Sequence, residues 1–340
     1  MKNYKTILKI TALCLALVLS VGLLAACGKP VDETPTSSAP EVVKDATEIR
    51  VAVIQGPTGV GMAHLMEQDA KGKTEYDYNF NLITNPQQTV AMLSNKSVDI
   101  AAMPTNLAAN FSGKNGDITV LAVNTLGVLH IADATGEVTD IASLKGKTIY
   151  STGQGSNPEF ILNYILEKNG LDPKKDVTIK FIAENQELTA KMVLGEIEIA
   201  MVPEPVLTNV MLKNNKVKPV VDMTKEWARV GGEGDLMMGC VAVRNEFLKK
   251  SPNAVASFMK EYEASVKYCE DTNAAAALSV KHEIIPNEQV AKQAIPRCNI
   301  KFVSGEDMKT RLSGYLNVLF AANPNSIGGK LPDESFYYNK

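Results

Sequence analysis

"SVDIAAMPTN" (97–106) returns further along the chain as "EIEIAMVPEP" (196–205), and this repetition decides how the chain folds. Each stretch is a short apolar run that ends in a proline, Pro104 or Pro203, just before a segment of helical pattern. Earlier apolar runs recur in the same order, with "IRVAVI" (49–54) and "YNFNLI" (78–83) answered by "KTIYST" (147–152) and "VTIKFI" (177–182). Three units repeated in one order predict two halves of like build. The alternative is a set of unrelated strands in one large sheet.

Short strands alternate with helical stretches in both halves. In the first half we predict a helix that begins near Gly59, a second over 86–93 and a third over 105–111. Such alternation is typical of parallel strands that are crossed over by helices. The predicted fold class is therefore α/β, with two similar Rossmann-like lobes.

The last third of the chain has a different pattern. After the apolar strand "LMMGCVAV" (236–243), helical stretches continue to about residue 322. Ser251 and Pro252 are typical of a helix start, and apolar residues recur at helical spacing over 255–266. We predict that these helices pack on the first lobe, so the chain crosses between the lobes near 126–131 and again near 236–243. Two such crossings form a two-strand hinge, with a ligand cleft between the lobes.

The N-terminus has the pattern of an export signal. Three lysines precede a run over 10–27 that carries no charge. A transmembrane anchor is the alternative, because the run approaches the length that spans a bilayer. "LAACG" (24–28) resembles the lipobox of bacterial lipoproteins, which implies an acyl chain such as palmitate on Cys27. The following residues are rich in proline, serine, threonine and acid, and they predict a disordered tether.

These patterns divide the chain into four parts. They are a lipoprotein signal peptide (1–26), a tether (27–47), a first lobe (48–127 with 240–340) and a second lobe (128–239).

Composition and spacing exclude several classes of function. The net charge of −3, without basic clusters after the signal, argues against nucleic-acid binding. The three histidines (His64, His130 and His282) lie far apart and match no metal-site spacing, so we expect no metal, no cofactor and no catalytic residues. Cys240 has the setting of a buried thiol, whereas Cys269 and Cys298 either form a disulfide or stay free.

The duplicated lobes, the lipobox and the helical tail resemble the solute-binding lipoproteins of ABC importers. "IRVAVIQGPTGVGMAHL" (49–65) and "EIAMVPEPVLT" (198–208) are similar to the branch that takes up nitrate, sulfonates, taurine and pyrimidine precursors of thiamine. The resemblance implies the type II periplasmic binding protein fold and a monomer anchored by lipid on the outer face of the cell membrane. It also implies delivery of a small organic molecule to an ABC permease by hinge closure. The alternatives are a tethered ligand sensor and a pyrimidine-precursor enzyme with the same fold.

Four loops are the candidate ligand site, because ligands of α/β sheets bind where strands end and helices begin. These loops span 55–59, 104–106, 152–157 and 203–205. The first loop has no lysine, which argues against a nucleotide phosphate, and its glycines are expected to let a ligand approach the backbone. The predicted ligand-binding residues are Gln55, Gly56, Pro57, Thr58, Thr105, Asn106, Thr152, Gln154, Ser156, Glu204 and Trp227.

Some of these residues have an equally simple structural interpretation. Thr58 and Asn157 are alternatively helix caps, and Trp227 either stacks on a flat ligand or packs in the core. Glu204 fits a helix N-terminus electrostatically. Since no lysine or arginine lies in the four loops, its carboxylate would repel an inorganic anion and favour a neutral or partly cationic ligand.

Overall fold

The computed structural model describes residues 45–115, 117–231 and 234–339. The signal peptide and the lipidation site predicted at Cys27 lie outside the described residues, as does the tether up to residue 44. The first strand begins at Asp45, three positions before the expected start of the first lobe at residue 48.

Within the described residues, eleven strands form one sheet of six strands and one of five. The strands are β1 (Asp45–Ile54), β2 (Tyr76–Ile83), β3 (Ile100–Pro104), β4 (Ile118–Thr125), β5 (Leu129–Asp133), β6 (Thr148–Ser151), β7 (Thr178–Phe181), β8 (Ile199–Pro203), β9 (Lys218–Asp222), β10 (Gly239–Arg244) and β11 (Ile300–Val303).

The two sheets repeat one strand order. The first sheet runs β11-β4-β10-β3-β1-β2 and the second runs β7-β6-β8-β5-β9. In each sheet a parallel trio, β2-β1-β3 or β7-β6-β8, adjoins one antiparallel strand, which is β10 in the first sheet and β5 in the second. The repeat read from the sequence is thus confirmed in the topology, as is the α/β fold class.

Thirteen helices connect and cover these strands in the part of the chain that the structure describes. They are α1 (Pro57–Val60), α2 (Ala63–Ala70), α3 (Pro86–Ser94), α4 (Thr105–Asn115), α5 (Asn157–Lys168), α6 (Asn185–Leu194), α7 (Val206–Lys213), α8 (Met223–Arg229), α9 (Asn245–Lys250), α10 (Pro252–Lys267), α11 (Thr272–Lys281), α12 (Glu288–Ala294) and α13 (Gly305–Ala322).

Local sequence explains where several helices begin. Asn85 and Gln88 form a capping box at the start of α3, and a proline occupies the first turn of α1, α3, α5 and α10. Ser251 stands at the cap position of α10 as predicted, although its side chain makes no capping hydrogen bond. Phe258 and Tyr262 on the predicted apolar face of α10 are buried, and α10 packs against α2 and β11.

The two crossings between the sheets come close at Gly127 and Leu236, because a Cβ atom added to Gly127 would lie 2.9 Å from Cδ1 of Leu236. Residues 126–128 link β4 to β5, and residues 230–238 link α8 to β10. A Cβ atom at Gly127 would lie 2.0 Å from Thr224 Oγ1, so only glycine fits there without rearrangement. The amide of Asn299 donates to the carbonyl of Gly127 at 2.5 Å and ties the chain before β11 to this crossing.

The three described cysteines are free thiols, so the possible disulfide between Cys269 and Cys298 is not formed. Burial raises the pKa of the Cys269 thiol to about 12, and it also raises the pKa values of the Cys240 and Cys298 thiols. No helix among the described residues is long and apolar enough to span a membrane.

Candidate ligand-binding cleft

A cleft of about 520 Å³ lies where strands of both sheets end. Its wall is formed by residues that follow β1, β2 and β3 of the first sheet and β6, β7 and β8 of the second. A larger groove of about 1420 Å³ runs along α5, β7 and the end of α13, and strands of the first sheet do not line it. The strand-end cleft is the candidate site, because parallel α/β sheets bind ligands at the carboxyl ends of their strands.

Most of the residues predicted from the sequence lie together in this cleft. They are Gln55, Gly56, Pro57, Thr58, Asn106, Ser156 and Glu204. Two loops and several apolar residues were not predicted: Pro86, Gln87, Asn185, Leu107, Val128, Val206 and Met238. The two loops follow β2 and β7, so the same strand-end rule, applied to every parallel strand, would have found them.

Three of the predicted loop residues, besides Trp227, lie outside the cleft wall because they bond elsewhere or face solvent. Thr105 is fully buried, and its hydroxyl donates to the carbonyl of Met237. The hydroxyl of Thr152 donates to Asn185 Oδ1 at 2.9 Å, and Gln154 is exposed to solvent. Thr152 therefore acts on the cleft only through Asn185, which does line it.

Trp227 is a core residue that does not line the cleft, which agrees with the packing alternative. Its side chain packs against Tyr164 and Tyr315, with ring centroids 4.6 Å and 5.7 Å apart, and the residue is 1% exposed. The indole N–H donates to the carbonyl of Gly234 at 3.2 Å. A ligand in the cleft has no access to this ring.

The glycines of the first loop have different functions. Gly56 lines the cleft at φ 95°, and a Cβ atom there would meet nothing within 4 Å. Gly59 is buried, and a Cβ atom there would lie 2.1 Å from the carbonyl oxygen of Ile54. Gly56 is thus positioned to expose backbone to a ligand, whereas Gly59 allows α1 to pack closely on β1.

Five helices of eight residues or more begin at the cleft wall: α3, α4, α5, α6 and α7. The side chains at the N-cap positions of α5, α6 and α7 accept no capping hydrogen bond from the backbone N–H groups of the first helical turn. Asn157 is the first residue of α5 and not its cap, which is Ser156. Free N–H groups at helix starts carry partial positive charge, so this wall favours the electronegative end of a ligand.

The negative charge of Glu204 is balanced by Arg297, which lies outside the four loops. Its Oε1 accepts a hydrogen bond from Arg297 Nε, and its Oε2 accepts from the hydroxyl of Thr208 at 2.7 Å and from its N–H at 3.2 Å. Arg297 lies in the 3-10 turn Ile295–Arg297, which follows α12. The expectation that nothing offsets the Glu204 charge is therefore wrong, and with it the objection to anionic ligands.

His130, in β5, is a buried ionisable side chain near this ion pair, and it is 5% exposed. Burial lowers its pKa below 6.5, and the nearby carboxylates of Asp222 and Glu204 oppose that shift. Among the described residues, no group of three or more histidine, cysteine, aspartate or glutamate side chains has the geometry to hold a metal ion.

Residues 69–276 match the family model described as NMT1/THI5 like. The chain belongs to the NMT1/THI5-like family. No curated protein matches the chain in sequence.

Solved structures of similar fold include binding proteins of transport systems. An ABC transporter protein of Parabacteroides distasonis has 21% identity and a TM-score of 0.73, over 86% of this chain and 99% of that chain. The periplasmic aliphatic sulphonate binding protein SsuA of Escherichia coli has 13% identity and a TM-score of 0.67, over 89% and 95%. The periplasmic nitrate-binding protein NrtA of Synechocystis has 15% identity and a TM-score of 0.54, over 73% and 70%. At these identities the likeness establishes a shared fold, which is that of the periplasmic binding proteins.

Proposed function

We propose that this NMT1/THI5-like protein is an extracytoplasmic solute-binding lipoprotein that delivers a small organic molecule to an ABC importer. The observation that carries the proposal is the cleft of about 520 Å³ at the strand ends of both sheets. Its volume lies within the range of about 300–1,000 Å³ that is typical of small-molecule sites. The related fold of sulphonate- and nitrate-binding proteins supports the same function.

The chemistry of the wall favours an organic molecule with one strongly electronegative end. The starts of α5 and α6 offer N–H groups to that end. Prolines and the side chains of Leu107, Val206 and Met238 offer apolar surface to the remainder of the ligand. Because Arg297 balances the charge of Glu204, an organic anion such as a sulfonate fits this wall.

Transport by this protein would depend on closure of the two sheets around the ligand. The crossings at 126–128 and 230–238 are the hinge in this mechanism. Ligand contacts made from both sheets at once stabilise the closed form, because only that form presents both walls. An ABC permease would then recognise the closed protein. A membrane-tethered sensor would use the same closure, and it differs only in its partner.

Lipid on Cys27 would hold the monomeric protein at the outer face of the cell membrane. The lipobox-like "LAACG" (24–28) and the polar segment after it support this anchor. The tether predicted from that composition would let the folded part meet a permease.

We infer binding rather than catalysis in the cleft. Glu204 is the ionisable residue among the described residues that line it, and both carboxylate oxygens are already engaged by Arg297 and Thr208. Such a carboxylate is poorly placed to accept a proton from a substrate. Steady product formation from any bound compound would favour the enzyme alternative.

Thermal-shift titration with ethanesulfonate, taurine, nitrate and a pyrimidine precursor of thiamine tests the function, with X-ray scattering to detect closure. We expect one of these ligands to raise Tm and to compact the protein. At 100 times Kd, binding stabilises the folded state by about 2.7 kcal/mol. Ser156→Trp, which fills the cleft, should abolish the shift, whereas Gln154→Trp on the exposed side of the same loop should preserve it. Equal shifts in both variants would contradict the assignment of this cleft.

A further inference from the structure

Arg297 contacts Glu204 in the cleft wall, although the two residues belong to different parts of the fold. It follows α12, and α12 packs on α11, which in turn contacts α2 beside the first sheet. Glu204 and Thr208 belong to the second-sheet half, at the end of β8 and in α7. The ion pair between Arg297 and Glu204 therefore joins the two halves at the edge of the cleft.

The two partners differ in their exposure. The Glu204 side chain is fully buried, whereas the Arg297 side chain is 30% exposed and does not line the cleft. Besides its contact with Glu204, Arg297 donates through Nη2 to the hydroxyl of Thr208 at 2.5 Å. This hydroxyl in turn donates to Glu204 Oε2, so the three side chains form one closed network.

The network changes what a ligand encounters at this wall. A buried carboxylate without a partner is strongly unfavourable, and its field would repel any anion in the adjacent cleft. Paired with Arg297, the same carboxylate contributes a dipole with no net charge. The N–H groups at the starts of α5 and α6 then favour negative charge in the cleft.

We propose that Arg297 is a specificity-determining residue, which allows the cleft to accept an anionic ligand by neutralising Glu204. This inference rests on the proposed function of the cleft as a ligand site. Arg297 acts through Glu204 and not by touching the ligand. Removing the Arg297 side chain should therefore weaken the binding of anions to the cleft more than the binding of uncharged molecules.

The test compares ethanesulfonate with ethanesulfonamide, a pair of similar shape that differs in charge, by calorimetric titration. For Arg297→Gln we expect ethanesulfonate to bind about 10- to 100-fold more weakly, because an uncompensated carboxylate buried beside the cleft then repels the anion. Affinity for ethanesulfonamide should stay within about threefold of the wild-type value, since a neutral ligand feels little of that charge.

A double variant separates charge selectivity from structural damage. Glu204→Gln combined with Arg297→Gln removes both charges and should restore ethanesulfonate binding to within about threefold of wild type. Arg311→Gln is the matched control, because Arg311 is also 30% exposed and also ion-paired, but its partners, Asp235 and Asp307, do not line the cleft as Glu204 does. It should leave the ratio of the two affinities unchanged.

Two results would overturn the inference while leaving the binding function intact. One is an equal loss of both ligands in Arg297→Gln, which is the mark of a purely structural role. The other is a double variant that remains unable to bind ethanesulfonate. Wild-type protein that binds neither probe, nor any other compound of the thermal-shift series, would instead contradict the proposed function itself.

Discussion

Substituting Gly59 by alanine tests how the first loop is built. The added Cβ atom would lie 2.1 Å from the carbonyl oxygen of Ile54 and 3.2 Å from Cγ2 of Ile284. An ordinary carbon–oxygen contact is about 3.3 Å or longer, so α1 and the end of β1 must separate by roughly 1.2 Å. The obstructing atom belongs to the backbone of a buried strand and cannot rotate away.

The separation has two consequences of predictable size. Overpacking of this kind costs about 1–3 kcal/mol, and we expect the upper part of that range because backbone must move. For a chain of this size that corresponds to a fall in Tm of about 3–5 °C. The same shift displaces Pro57 and Thr58 on the cleft wall and breaks the 3.0 Å hydrogen bond from Asn124 Nδ2 to the carbonyl of Thr58. Ligand affinity should therefore fall at least about tenfold.

Differential scanning calorimetry and ligand titration measure both effects. Gly113→Ala in α4 is the control, because a Cβ atom there meets its nearest neighbours at 3.4 Å, an ordinary contact. Alanine is the better helix former, so this variant should be unchanged or more stable by up to about 1 kcal/mol. If the Gly59→Ala variant has the same Tm and the same ligand affinity as the wild type, the close-packing explanation for Gly59 is refuted.

Three further predictions concern a buried histidine, the tryptophan and the anchor. Because burial lowers the pKa of His130, the unfolded chain binds more protons below pH 6.5 and the free energy of unfolding falls as pH decreases. His130→Gln should reduce that slope by up to about 1.4 kcal/mol per pH unit in urea titrations, and an unchanged slope would contradict the assignment. Trp227→Phe should lower the free energy of unfolding by about 1–2 kcal/mol yet leave ligand affinity within threefold, whereas a stacking role requires a much larger loss of affinity. Cys27→Ser should abolish labelling by a palmitate analogue and release the protein from membranes; continued labelling would argue against this lipidation site.

Much of the fold and part of the site follow from the sequence alone. The recurrence of "SVDIAAMPTN" as "EIEIAMVPEP" predicts β3 and β8, and the flanking strands take equivalent places in the two sheets. Turn chemistry predicts the start of α10 at Pro252. The loops after β1, β3, β6 and β8 reach the cleft as expected, because parallel strands that end at one edge bring their loops together.

The sequence therefore determined the strand repeat, the helix starts and the positions of the loops, since these depend on residues that are close along the chain. Only the tertiary structure determined which individual side chains are buried and which of them contact each other. Arg297 lies 93 residues from Glu204 and meets it only because α12 folds back on α7. Trp227 is enclosed by Tyr164 and Tyr315, which come from two other helices. Charge balance and burial depend on which distant segments come into contact, and local periodicity carries no information about that.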